Sequence, residues 1–120
     1  MTVRSEEMFV KVYEYYIQDD KQEEFLDIQE KASRIYGRYL LFYTQYLQSK
    51  DDPTKWVEIT RYNDEKEYVQ SLELINQHSE IQALFKSFQS VLLTPKREIR
   101  EENYTIRKEI SNTKEKGRMT

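Results

Sequence analysis

Residues 9–17 read Phe-Val-Lys-Val-Tyr-Glu-Tyr-Tyr-Ile, and residues 56–62 read Trp-Val-Glu-Ile-Thr-Arg-Tyr. Both stretches alternate between an aliphatic set and an aromatic or charged set, and successive side chains of a β-strand point to opposite faces of its sheet. Because helices cover only one face of the sheet in a lone two-layer domain, the second face predicts another covering surface, either a second copy of the chain or a ligand. The simpler alternative is a face of half-exposed tyrosines, whose hydroxyls tolerate water.

The composition is that of an ordinary globular chain. It has 120 residues, of which 38% are hydrophobic and 34% charged, with a formal net charge of −3. This length suits one domain, and the acidic balance disfavours nucleic acid as a partner. The absence of cysteine and the single histidine give no reason to expect a metal site. Because the sequence has neither a long apolar run nor a leader-like N-terminus, we expect no membrane partner and a cytoplasmic location.

Periodicity along the chain predicts the element order βαββαβ. The expected elements are strands at about 8–17, 38–48, 55–62 and 96–106, a helix at about 21–36, and a helical region that begins near Asn63, pauses at 76–78 and stops before Pro95. Two interlocked crossovers predict an α+β, ferredoxin-like fold, with a four-stranded antiparallel sheet, helices on one face, and strands one and three at its centre. We expect a single domain at 8–107, an N-terminal extension at 1–7 and a mobile tail at 108–120.

Strand parity divides the side chains of the two quoted stretches between the two faces. We assign the valine and isoleucine sides to the helices, because β-branched residues pack well between a sheet and an apolar helix stripe. The aromatic side is then expected to form a dimer face made of Phe9, Tyr13, Tyr15, Trp56, Glu58 and Tyr62. A one-residue bulge in either strand would exchange the two sets.

The helix-facing side of the sheet and the helical region after Asn63 offer candidates for a pocket between sheet and helices, although none is identified as catalytic. These candidates are Glu14, Tyr16, Arg61, Tyr68 and His78. Histidine is the residue type best suited to proton transfer near neutral pH, and His78 is the only one, but a single uncoupled histidine is more often structural. Tyr16 and Tyr68 can hydrogen-bond a phenolic ligand, with core packing as their alternative role. Glu14 and Glu58 fall on opposite faces by parity, which favours structural salt bridges over a shared catalytic dyad.

Residues 49–68 read Ser-Lys-Asp-Asp-Pro-Thr-Lys-Trp-Val-Glu-Ile-Thr-Arg-Tyr-Asn-Asp-Glu-Lys-Glu-Tyr. With the strand, helix and strand before them and the run from Ile81 to Phe88, they resemble the antibiotic biosynthesis monooxygenase family over about residues 8–105. The resemblance implies a dimeric α+β barrel, in which two sheets pack together and each subunit has a pocket between sheet and helices. Members of the family include cofactor-independent oxygenases of polyaromatic substrates, haem-degrading enzymes and proteins of no known activity.

Two functions follow from the resemblance. The first is a cofactor-independent monooxygenase that acts on an aromatic small molecule, and the alternative is a non-catalytic small-ligand-binding or stress-related dimer. Haem degradation is not expected, because the functional asparagine of that branch falls near Val12 and its iron-binding histidine near residues 81–85, where no histidine occurs. We therefore expect no cofactor. RNA-recognition modules share the element order, but the acidic body counts against RNA binding.

Overall fold

A computed structural model of the protein describes residues 8–112. The strands are β1 (Phe9–Tyr16), β2 (Phe42–Gln48), β3 (Lys55–Tyr62) and β4 (Arg100–Thr105). The helices are α1 (Gln22–Tyr36), α2 (Glu65–Ile75) and α3 (Ser79–Val91), and a short 3-10 turn at Asp19–Lys21 precedes α1. The predicted extension at residues 1–7 and the end of the predicted tail from residue 113 lie outside the described residues.

The four strands form one antiparallel sheet in the order β2-β3-β1-β4. β1 pairs with β3 in continuous register from Phe9 opposite Tyr62 to Tyr16 opposite Lys55, and its other edge pairs with β4. The predicted α+β, ferredoxin-like arrangement, with β1 and β3 at the centre, is confirmed. β2 begins later than predicted because residues 37–40 extend the end of α1 in turns, with Leu40 N–H donating to the Tyr36 carbonyl at 3.0 Å.

The helix boundaries follow local signals in the sequence. The Asp64 side chain accepts a hydrogen bond from the Glu67 N–H at 2.7 Å and so caps the first turn of α2. The predicted pause at 76–78 separates α2 from α3, because His78 adopts an extended backbone before Ser79. α3 ends at Val91, ahead of Pro95. β4 starts at Arg100 rather than near 96, because the chain turns first, with the Arg97 N–H donating to the Pro95 carbonyl at 3.1 Å.

The core lies between the sheet and the helices and is built mainly of aromatic rings. Its centre is Phe25 of α1, which is fully buried. Ring centroids of four neighbours lie 5.0–6.2 Å from that of Phe25, those of Tyr15, Tyr46, Trp56 and Phe88. A second cluster joins Phe9, Tyr62 and Tyr68 at the other end of the sheet. Rings of β1 and β3 therefore pack against the helices.

The structure reverses the predicted assignment of the two sheet faces. The residues predicted for the dimer face lie on the helix-covered side, namely Phe9, Tyr13, Tyr15, Trp56, Glu58 and Tyr62. The valines and isoleucine of β1 and β3 lie on the open side. No bulge interrupts the register, so the reason lies in side-chain size. An aromatic side chain buries about 150 to 250 Å², and these rings fill the space below the helices that valines would leave empty.

Residues 108–112 lie outside the helices and strands. Within them, Glu109 accepts a hydrogen bond from the Arg61 guanidinium at 3.3 Å. The mobility of the tail, the domain boundaries and the cytoplasmic location stay predictions. In residues 8–112, none of the helices has the length and apolar character needed to span a membrane.

Candidate ligand-binding cavity

A cavity of about 380 Å³ lies between the inner face of the sheet and the helices. Small-molecule sites usually have volumes of about 300 to 1,000 Å³, so this space can hold a small ring system. Its lining includes six tyrosines, which come from β1, β2, β3, α1 and α2: Tyr13, Tyr15, Tyr36, Tyr46, Tyr62 and Tyr68. Phe42, Phe85 and Phe88 add further rings. The wall therefore combines nine aromatic rings, six of which carry hydroxyl groups, with aliphatic and polar side chains.

Glu58, in the middle of β3, is the one charged side chain among the described residues of the lining. The Tyr15 hydroxyl donates a hydrogen bond to its Oε1 at 2.7 Å. Within residues 8–112 the second carboxylate oxygen has no hydrogen-bond partner. Burial raises the pKa of Glu58 above its ordinary value, and the Tyr15 hydrogen bond opposes this shift. The cavity thus contains a carboxylate with increased basicity and one oxygen available to a ligand.

The tyrosines of the lining keep their protons at neutral pH. Burial raises the pKa of all six hydroxyls, and the negative charge of Glu58 contributes in every case. For Tyr68 the pKa rises to about 12. Because none of these phenols ionises near pH 7, each offers a neutral O–H group to its surroundings.

Several polar groups of the lining are held in place by neighbours. The Tyr46 hydroxyl donates to Gln29 Oε1 of α1 at 2.9 Å. The hydroxyl oxygens of Thr44 and Thr60 lie 2.8 Å apart on paired strands. Together with the Tyr15–Glu58 hydrogen bond, these contacts fix the polar groups of the sheet wall before any ligand binds, which reduces the entropic cost of binding.

A partly buried ion pair joins β1 to β4. Lys11 is 5% exposed, and its ammonium pairs with Glu101 and donates to Asn103 Oδ1 at 2.7 Å. Its Nζ also lies 5.6 Å from the ring centroid of Tyr13 and 5.4 Å from that of Tyr68. Lys11 is not part of the lining, and its charge is matched by the Glu101 carboxylate.

Of the five pocket candidates predicted from the sequence, only Tyr68 lines the cavity. His78 lies at the junction of α2 and α3, where its Nε2 is 2.6 Å from the Tyr39 hydroxyl oxygen. This pairing fits the structural role that the sequence left open. No group of three or more histidine, cysteine, aspartate or glutamate side chains able to hold a metal ion occurs within residues 8–112.

The other three candidates lie on the open face of the sheet, because the face assignment is reversed. Glu14 Oε2 lies 3.8 Å from Lys55 Nζ, so this carboxylate forms the kind of salt bridge that was predicted. The Lys96 ammonium lies 4.6 Å from the ring centroid of Tyr16. Arg61 pairs with Glu109 and covers the ring of Tyr43. The structure therefore does not bring Glu14, Tyr16 or Arg61 together with Tyr68.

Parity reasoning placed the wrong strand face at the pocket and so missed Tyr13, Tyr15 and Glu58. A signal for these residues exists in the sequence. Glu58 is the one acidic residue on the aromatic side of residues 56–62. A carboxylate inside such an apolar set must be paired or have a raised pKa, which is typical of functional sites.

The fold is shared with known structures. SnoaB from Streptomyces nogalater, described as a cofactor-independent oxygenase, matches with a TM-score of 0.67 at 11% identity, covering 88% of this chain and 99% of that chain. A dimeric ferredoxin-like protein from an uncultured marine organism has a TM-score of 0.67 at 13% identity, with coverages of 92% and 97%. A candidate antibiotic biosynthesis monooxygenase from Nitrosomonas europaea has a TM-score of 0.63 at 19% identity, with coverages of 83% and 90%.

These similarities concern the fold. They agree with the resemblance to antibiotic biosynthesis monooxygenases that the sequence indicated, and identities of 11–19% carry no residue-level assignment. No family model matches the chain, and no curated protein matches its sequence.

Proposed function

We propose that the protein is a cofactor-independent monooxygenase for an aromatic small molecule, with Glu58 as its general base. The observation that carries this proposal is the position of the Glu58 carboxylate in a cavity lined by tyrosines, with one oxygen bound by Tyr15 at 2.7 Å. The second oxygen is available to take a proton from the substrate. Burial raises the pKa of Glu58, which brings its basicity closer to that required for proton abstraction near neutral pH.

The chemistry requires a substrate whose carbanion is stabilised by aromatic rings. An anthrone is an example, because loss of a proton from its ring methylene gives such a carbanion. Glu58 takes one methylene proton, and the resulting delocalised carbanion reacts with dioxygen. The methylene becomes a carbonyl that keeps one oxygen atom, while the other oxygen leaves as water with the two hydrogens. The four electrons that reduce dioxygen come from the substrate, so no external reductant is needed. Neutral tyrosine hydroxyls can donate hydrogen bonds to the developing oxyanion.

Oxygen consumption tests this function directly. The full chain is incubated with a panel of anthrones and hydroquinones in an oxygen electrode, with a chelator and without added metal or flavin. We expect uptake above the rate of autoxidation in buffer, with one dioxygen consumed for each carbonyl product identified by mass spectrometry. Uptake equal to the protein-free rate for every anthrone would contradict the proposal.

A non-catalytic ligand-binding role is the second candidate. It is favoured by the six neutral phenols of the lining, which can stack on and hydrogen-bond to an aromatic ligand without any chemical step. Mass spectrometry of the protein in air separates the two functions. An aromatic ligand that co-purifies and remains unchanged in mass after prolonged incubation favours binding, whereas a gain of oxygen favours catalysis.

We propose, in addition, that the chain forms a homodimer through the open face of its sheet. β1 and β3 present Val10, Val12, Val57 and Ile59 on this face, which none of α1, α2 and α3 covers. The exposed Tyr43 and Leu47 of β2 extend the apolar surface. Contiguous apolar surface of this kind marks protein interfaces. The similarity in fold to a protein described as dimeric supports the same arrangement here.

Ile59→Lys is expected to weaken this dimer by at least about 30-fold, because a charge at the centre of an apolar interface must be desolvated without a partner. Ile59 pairs with Val12 and Gln45 at the middle of the face. Sedimentation velocity over a concentration series measures the effect, and circular dichroism checks that the fold persists. Gln70→Lys adds the same charge to an exposed position of α2 and should leave the dimer intact. A wild-type monomer, or equal sedimentation of wild type and Ile59→Lys, would contradict this interface.

A further inference from the structure

We propose that the cavity selects aromatic ligands by charge, so that it binds neutral or cationic ring systems and rejects carboxylated anions of the same size. This inference rests on the proposed function only in placing the substrate in this cavity, and it adds the charge class of that substrate. Its basis is the set of charges around the cavity.

The lining within the described residues contains one carboxylate, that of Glu58, and no lysine, arginine or histidine. A bound anion would therefore lie beside a like charge. Like charges that are placed side by side at a binding site disfavour binding. A neutral ligand avoids this cost, and a cationic ligand gains an attractive partner.

Neighbouring basic groups do not offset the negative charge. Lys11 lies near the rings of Tyr13 and Tyr68, but it is not among the lining residues and is already paired with Glu101. Arg61 and Lys55 form ion pairs of their own with Glu109 and Glu14, which lie away from the lining. The charge that a ligand meets is therefore that of Glu58.

The tyrosines also favour neutral and cationic ligands. The faces of aromatic rings attract cations, and the lining presents nine such rings from tyrosine and phenylalanine. Hydroxyl donors also bind anions, but Tyr15 already donates to Glu58 and Tyr46 to Gln29. The Tyr15 hydroxyl, which is bound to the Glu58 carboxylate, is therefore not available to an anionic ligand.

The proposed reaction also favours a substrate that is neutral when it binds. When a neutral substrate loses its proton to Glu58, the carboxylate becomes neutral as the substrate becomes negative, so the total charge in the cavity stays at −1. A substrate that arrives as an anion would bring this charge to −2, with no cation in the described lining to balance it. Charge selection at binding thus matches proton transfer within the site.

Three naphthalene probes of one ring size test the inference by isothermal titration calorimetry at pH 7. These are 2-naphthol, 2-naphthoate and 2-naphthylmethylammonium, which are neutral, anionic and cationic at this pH, since phenols ionise near pH 10. For the wild-type full chain we expect 2-naphthoate to bind more than about tenfold more weakly than 2-naphthol, as expected for one like-charge contact. The ammonium probe should bind at least as tightly as 2-naphthol.

Glu58→Gln removes the charge with little change in shape and should bring the affinities of 2-naphthoate and 2-naphthol close together. Glu73→Gln removes the same charge from an exposed position of α2 and should leave the discrimination intact. Absence of 2-naphthol binding, equal wild-type affinity for 2-naphthol and 2-naphthoate, or an unchanged ratio in Glu58→Gln would overturn charge selection. Oxygen uptake with an anthrone would still support the oxygenase in that case. Conversely, discrimination without oxygen uptake would retain charge selection and contradict the oxygenase.

Discussion

Glu58→Gln lowers the rate of anthrone oxidation by about 10² to 10⁴-fold, because a positioned general base contributes a factor of this size. Glutamine keeps the shape of the side chain, and its amide oxygen can still accept the hydrogen bond from Tyr15. It cannot take a proton from the substrate. The measurement is the initial rate of oxygen uptake at saturating substrate, corrected for autoxidation, with Glu73→Gln on the exposed side of α2 as the matched control.

The pH dependence gives this prediction a second readout. Glu58 acts as a base only when ionised, and burial raises its pKa. Wild-type activity should therefore rise with pH through this raised pKa, whereas Glu58→Gln should show no such limb. Tyr15→Phe removes a hydrogen bond that lowers the pKa of Glu58, so it should move the limb to higher pH. If the rise of activity with pH is unchanged in Glu58→Gln, the group that titrates is not Glu58.

The free energy of unfolding of Glu58→Gln shows whether the substitution removes only the base or also destabilises the fold. A carboxyl whose pKa is raised by folding holds its proton more tightly in the folded than in the unfolded state. Its contribution to stability is therefore greatest below the ordinary carboxyl pKa and decreases as the pH rises through the raised value. Above that range the folded state bears the cost of a buried charge, so Glu58→Gln should have a free energy of unfolding equal to or greater than that of the wild type. Loss of activity together with marked destabilisation would contradict the role as base.

Much of the fold could be predicted because its signals are local. The alternation at 55–62 gives β3 with the bounds seen in the structure, and Asp64 caps α2 through contacts within one turn. The pause at 76–78 and the end of α3 before Pro95 likewise depend on neighbouring residues. Periodicity and capping operate over a few positions, so one sequence suffices to read them.

The site could not be predicted to the same extent, because both faces of β1 and β3 avoid water. Parity separates Tyr15 and Glu58 from Val12 and Ile59, but it does not say which set meets the helices. That choice depends on the volume available beneath α1 and α3, where Phe25 and Phe88 meet the rings of β1 and β3. Such packing joins residues far apart in sequence, and the preference of β-branched residues for helix contacts is too weak to determine it.

The same packing makes Phe25 the position where truncation should cost most stability. Phe25→Ala is expected to lower the free energy of unfolding by about 3 to 5 kcal/mol, because it removes a fully buried ring and leaves a void at the centre of the core. The void cannot close easily, since the rings of Tyr15 and Trp56 that border it are held by the sheet on one side. Urea denaturation followed by tryptophan fluorescence measures this change through Trp56, the only tryptophan in the chain.

Leu26→Ala provides the matched control, because this neighbour on α1 is 41% exposed and loses fewer contacts. It should cost less than about 1.5 kcal/mol. Both variants and the wild type must be compared at one protein concentration, since a dimer gains stability by mass action. Equal destabilisation by the two substitutions would mean that the core does not centre on Phe25. A large loss for Phe25→Ala alone would instead show that the aromatic side of β1 and β3 contributes most of its stabilisation by packing against α1.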